Sequence, residues 1–171
     1  MTWQERVLTD LRATIDTQVP VPVACDLLVV QAPGCLLWTS NVRLHRTGVL
    51  FDVSVVCTEA FVADLGPGRP DLLSDADDPS LTAARVAVEV DGVRLAELTW
   101  RPEQPAPPDG VALVAVEAAA HGTGAWQSWW VPLIARYSMV VSVDWPAVDV
   151  AGEVVWSTGH WAERARDVLS L

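Results

Sequence analysis

The chain has no lysine. All 11 of its cationic residues are arginine, they stand against 22 carboxylates, and the net charge is −11 with an isoelectric point near 4.5. Nucleic-acid backbones and anionic membranes are excluded as partners on that balance, because both are bound through clusters of cations. Long apolar runs are missing too: the hydrophobic residues come in short stretches broken by Gly, Pro and Asp, well under the roughly 20 residues of a membrane helix. The opening residues, Met1-Thr2-Trp3-Gln4-Glu5-Arg6, lack the basic-then-apolar order of a secretory signal, so the expected location is the cytoplasm. Cysteine is sparse, with Cys25, Cys35 and Cys57 showing no Cys-x-x-Cys spacing. That suits reduced thiols packed as small hydrophobes better than a disulfide framework or a zinc site.

Tryptophan, by contrast, is abundant. Nine Trp in 171 residues, with 51% hydrophobic and 19% charged residues, describe a single folded domain over 1–171 that needs no metal or disulfide staple. The densest group is Trp126, Trp129 and Trp130, running into Val131-Pro132, with Trp145-Pro146 beyond. On a strand, Trp129 and Trp130 point to opposite faces, and Trp126 shares the face of Trp130. One face can be buried between sheets. The other must meet a covering helix, a partner or water. Trp anchors protein interfaces and stacks on flat ligands, so Trp126, Trp129, Trp130 and Trp145 are the candidate binding residues. The competing expectation is that terminal helices bearing Trp3 and Trp161 cover that second face.

Residues 2–17 read as an amphipathic helix opened by a Thr2-x-x-Glu5 capping box and carrying Trp3, Val7, Leu8, Leu11 and Ile15 on one face. Pro20 and Pro22 end it. From there the period changes to two across 23–156. Segment 23–30 reads as a strand, and 35–46 with 49–58 as a hairpin closed at Thr47-Gly48. Pairing Arg46 with Val49 sets Leu44 opposite Phe51 and Val42 opposite Val53 on an apolar face, with Arg43 opposite Asp52 on the other. His45 then falls on the polar face. A second hairpin spans 84–100 around Asp91-Gly92, a favoured type I′ pair, with Val88 facing Leu95 and Glu89 facing Arg94. Further strands are expected at 111–118, 125–131, 138–144 and 152–156, and a helix over 158–170 with Thr158 as its N-cap. The fold expected is mainly β: an antiparallel sandwich or flattened barrel with one helix at each terminus packed on it.

The segment WWVPLIARYSMVVSVDWPAVDVAGEVV with the following WAERARDVL, together with Gly48–Val53 and the Asp91-Gly92 turn, resembles a family of small uncharacterised actinobacterial proteins. They carry a Trp-Pro-Leu run, an acidic-Trp-Pro strand and a closing Ala-rich helix. The chain departs from the pattern at Ile134-Ala135-Arg136-Tyr137 and at its Leu169-Ser170-Leu171 ending. The resemblance implies a fold and carries no catalytic residue.

Reaction chemistry finds little footing. His121-Gly122-Thr123-Gly124 leads into a strand, whereas a phosphate loop opens a helix. Ser157 and His160 sit where capping residues belong, and no Gly-x-Ser-x-Gly elbow exposes a serine. Asp71, Asp75, Asp77 and Asp78 gather carboxylates in one loop, a weak metal candidate without the glycine and distal glutamate of a calcium loop. No catalytic residue and no cofactor are therefore assigned. The expectation is a non-catalytic cytoplasmic interaction module that self-associates or binds a basic protein. The alternatives are a ligand-binding or enzymatic β-barrel with a Trp-lined pocket, and a subunit of a larger bacterial or phage-like assembly.

Overall fold

A computed structural model describes residues 2–65, 84–97 and 111–171. Helix α1 spans Trp3–Thr17, and its start carries the reciprocal cap: Glu5 N–H donates to Thr2 Oγ1 at 3.2 Å and Thr2 N–H to the Glu5 carboxylate at 2.7 Å. The strands follow as β1 (Gln18–Val19), β2 (Val21–Val23), β3 (Leu27–Ala32), β4 (Cys35–Leu44) and β5 (Val49–Cys57), then a short helix α2 (Glu59–Asp64). Next come β6 (Arg85–Val90), β7 (Val93–Arg94), β8 (Ala96–Glu97), β9 (Ala112–His121), β10 (Gly124–Val131), β11 (Ser138–Trp145) and β12 (Val150–Ser157). The chain closes with α3 (Trp161–Arg164) and β13 (Leu169–Ser170).

These elements form a mainly β sandwich that is not a closed barrel. The larger sheet has the order β2-β4-β5-β10-β9-β8 with β3 also on β4, the smaller β12-β11-β6-β7, and β1 pairs with β13 in a ribbon. Pairing is antiparallel except for a short parallel match of Ala96–Glu97 with Ala112–Leu113. That exception follows from a change of sheet: β7 pairs with β6, the buried Leu95 intervenes, and β8 joins the larger sheet. Along the opposite edge β12 packs on β3. The approach is so close that a Cβ on Gly152 would stand 2.4 Å from the Val29 carbonyl oxygen. Between the sheets lie Leu37, Phe51, Val53, Leu113 and Trp129 from one side, and Val88, Met139, Val141, Trp145 and Trp156 from the other.

The second hairpin keeps its expected register, with Glu89 opposite Arg94. Asp91 (φ 49°) and Gly92 (φ 84°) both take the positive φ of a type I′ turn. The first hairpin does not. Leu44 pairs with Val49 and Arg43 with Leu50, and a bulge between Ser40 and Arg43 places Asn41 at φ 54°. Val42, Leu44, Phe51 and Val53 are nevertheless all buried, because at the loop end the register differs by an even step, and the bulge takes up the odd step before Thr39 pairs with Val53. The C-terminal helix is also shorter than 158–170. His160 and not Thr158 occupies the cap position, a 3-10 turn covers Ala165–Asp167, and Val168 is extended. Trp161, Ala165 and Val168 remain a buried stripe. Beyond them the backbone leaves the helix to pair Ser170 with Gln18 and Leu169 with Val19.

Candidate functional site

Registered partners on adjacent strands share a face, so the outer face of the larger sheet can be read in rows. Arg43, Leu50, Trp130 and Val114 form the first row. Leu50, Trp130 and Val114 lie beneath α1, whose Leu11, Trp3, Val7, Leu8 and Ile15 close a second core over them. Ser40, Asp52, Ser128 and Glu117 form the next row. This row is polar and interlinked: the Ser128 hydroxyl donates to Asp52, Asn41 Nδ2 donates to the other Asp52 oxygen at 2.9 Å, and Arg43 lies 3.8 Å from the same carboxylate.

Beyond that band the face turns apolar again, and no described helix covers it. Leu28, Trp38, Ser54, Trp126 and Ala119 run in register across β3, β4, β5, β10 and β9. Leu36 and Val56 pair one row further. Leu28 is 52% exposed, Val56 40% and Leu36 38%, while Trp38 and Trp126 are partly exposed. The result is an aromatic and aliphatic surface at one end of the sheet. Among the described residues the adjoining row carries Asp52 and Glu117, with Arg43 beside Asp52, while Asp26 immediately precedes β3 and Glu59 opens α2 just after β5.

Of the four candidate tryptophans, only Trp126 contributes to this surface. Trp129 and Trp145 are enclosed between the sheets, Trp145 with its ring 5.6 Å from Phe61, and Trp130 lies under α1 at 2% exposure. The physical reason is that α1 supplies the cover: its Leu11 is buried in one cluster with Trp130, and Trp3 packs on that cluster. Trp161 does not share that task; it joins the inter-sheet core 5.9 Å from Trp156. Trp38 and Leu28 were not legible as surface residues, because a regular hairpin puts Trp38 on the face of Val42, and the bulge at Asn41 turns it outward.

The chain matches no protein-family model, no curated protein and no solved structure.

A cleft of about 490 Å³ opens between α1 and the sheet, lined by Arg6, Asp10, Thr14, Thr47, Trp130 and Pro132. Behind it His45 is buried in the β4–β5 loop, its ring 5.4 Å from Trp130 in an edge contact. This overturns its expected place on a solvated face. The loop 45–48 folds back, with His45 N–H donating to the Gly48 carbonyl, and carries the ring under the tryptophan. Burial lowers the His45 pKa from its ordinary 6.5, and the Arg43 charge lowers it further, so the imidazole is neutral at pH 7. His121-Gly122-Thr123-Gly124 is the β9–β10 turn, not the mouth of a helix. Ser157 and His160 are both exposed near the end of β12. Asp71, Asp75, Asp77 and Asp78 lie outside the described residues, and among those described no three His, Cys, Asp or Glu side chains are grouped to hold a metal. No described helix is long and apolar enough to cross a membrane.

Proposed function

We propose that this protein is a non-catalytic cytoplasmic interaction module that docks a basic partner protein on the uncovered end of its larger sheet. The observation carrying this reading is the row Leu28–Trp38–Ser54–Trp126–Ala119, apolar and open beside a half of the same face that its own helix covers. Apolar sheet surface that a chain leaves uncovered beside polar borders is a mark of interaction sites, and tryptophan is the residue most enriched at their centres. Charge selects the partner class. A second copy would bring two chains of net charge −11 together, whereas a cationic partner gains from the border carboxylates and is steered toward them.

The test is affinity capture from the source cells by the tagged full chain, run in parallel with Trp126→Ser and Leu28→Ser variants shown by circular dichroism to be folded at the capture temperature. Support consists of a stoichiometric basic protein that is lost with both variants and with rising salt. Capture that ignores both substitutions refutes the proposal, as does a salt-insensitive homodimer in sedimentation velocity. The second reading, a small ligand in the cleft beside α1, is favoured by that cleft's volume, which lies within the range of small-molecule sites. It predicts a co-purifying compound that is lost when Thr14→Trp fills the cleft.

A further inference from the structure

The three cysteines are not equivalent. Cys35 opens β4, Cys57 ends β5, and the two are direct cross-strand partners. Both thiols are buried, and each lies close enough to the other to influence its ionisation. In an antiparallel pair, hydrogen-bonded and non-hydrogen-bonded positions alternate. Thr58 N–H donates to the Gly34 carbonyl at 2.8 Å, which takes the hydrogen-bonded position for Gly34 and Thr58. Cys57 N–H is turned the other way, to the Thr123 carbonyl at 2.9 Å. Cys35 and Cys57 therefore hold a non-hydrogen-bonded position, where opposed Cα atoms stand about 4.5 Å apart and side chains come closest. That separation falls within the span a disulfide bridges, about 4.4–6.8 Å. The pair is also reachable. A surface cavity of about 310 Å³ is lined by both residues together with Gln31, Ala32, Gly34 and Thr58.

We propose that Cys35 and Cys57 are an oxidative modification site that closes to a cross-strand disulfide when a hydroperoxide enters this cavity. Cys35 Sγ, as thiolate, attacks the O–O bond; the S–O bond forms, the O–O bond breaks, and the departing oxygen takes up a proton to leave as water or an alcohol. Cys57 Sγ then displaces the new hydroxyl from Cys35 Sγ. The S–S bond forms, and the Cys57 proton leaves with that hydroxyl as water. Two thiols lose two electrons in total, and one peroxide O–O bond accepts them. The two thiols can exchange these roles without changing the product. Burial raises the pKa of both, that of Cys57 to about 12. Thiolate is therefore scarce at neutral pH, and the bond forms slowly. Once made it is hard to reduce, since the dithiol form gains nothing from ionisation. The chemistry suits a latch that fixes the end of the hairpin under sustained oxidation, in contrast to a rapid sensor. Cys25, which has no cross-strand cysteine partner among the described residues, stays outside it.

The experiment uses the full wild-type chain in native buffer with hydrogen peroxide, followed by unfolding, alkylation and peptide mapping. Cleavage at arginine and at aspartate separates the three cysteines, because Asp26 lies between Cys25 and Cys35, and Arg43 between Cys35 and Cys57. The expected product has lost two hydrogen atoms, links Cys35 to Cys57, leaves Cys25 alkylated and reverts with dithiothreitol. Its rate of formation rises with pH, and its melting temperature exceeds that of the reduced protein. A Cys25→Ser variant gives the same link. Three alkylated cysteines after prolonged exposure, a link that includes Cys25, or sulfinic acids in place of the bridge overturn the proposal.

Discussion

Replacing Trp130 and Trp126 one at a time by alanine makes the same deletion on the same face of the same strand, four residues apart. Trp130 has Leu50 on one side and Val114 on the other, with α1 above. An enclosed tryptophan withdraws roughly 200 Å² from water, which at about 25 cal/mol per Å² amounts to about 5 kcal/mol. That figure is an upper bound, since the unfolded chain already shields part of the ring. Truncations of buried aromatics lose about 3–5 kcal/mol, so about 4 kcal/mol is expected for Trp130→Ala. In a chain of this size each kcal/mol moves the melting temperature by about 2–4 °C, giving a fall of about 8–16 °C. Trp126 is partly exposed and meets Ser54 and Ala119 across the strands; removing it is expected to cost about 1 kcal/mol, in the ordinary range for single substitutions. Urea melts followed by circular dichroism measure both. Equal losses, or a larger loss at Trp126, would refute the division of the outer face into a covered and an open half.

Three further outcomes are expected. Gly152→Ala puts a methyl 2.4 Å from the Val29 carbonyl oxygen, and overpacking of that kind costs about 1–3 kcal/mol; its urea midpoint should fall with an unchanged slope. Thr2→Ala removes the hydroxyl that accepts from Glu5 N–H and should cost about 1 kcal/mol, read as a small drop in melting temperature. Stability should decline with acid in two stages. His45 has a folded pKa below its ordinary 6.5, so the unfolded chain takes up that proton first, and stability is lost as pH falls from 6.5 toward the folded value. Asp91 is held below its ordinary 3.8 by backbone N–H bonds from Arg136, Ser138 and Tyr137. Its share is present above 3.8 and is lost as pH falls through the folded value. A His45→Gln variant should lack the first stage in pH-dependent urea melts and keep the second.

Strand positions and the mainly β class were legible because alternation and turn chemistry are local signals. The Asp91-Gly92 turn fixed its hairpin correctly because type I′ geometry admits few residues and no slack in register. The first hairpin lacked such a marker. Its register depended on a bulge at Asn41, and a bulge leaves no mark in a hydrophobic pattern except a change of phase. That phase change is the reason Trp38 and Leu36 face outward, so missing it also hid half of the candidate surface. The helix expected over 158–170 shows the complementary failure. Its apolar stripe is real, but pairing of Leu169 and Ser170 with Val19 and Gln18 lies nearly the whole chain away and is invisible to local periodicity.

The change of sheet at Leu95 and the tight seat of Gly152 on Val29 sit along opposite long edges of the sandwich. One edge is sewn by continuous backbone and the other by contact without room for a methyl. Among the described residues, neither of these two edges leaves a margin about which the layers can part like the halves of a clam. The outer rows of the larger sheet are thus set by the fold itself and need no parting of the layers to form.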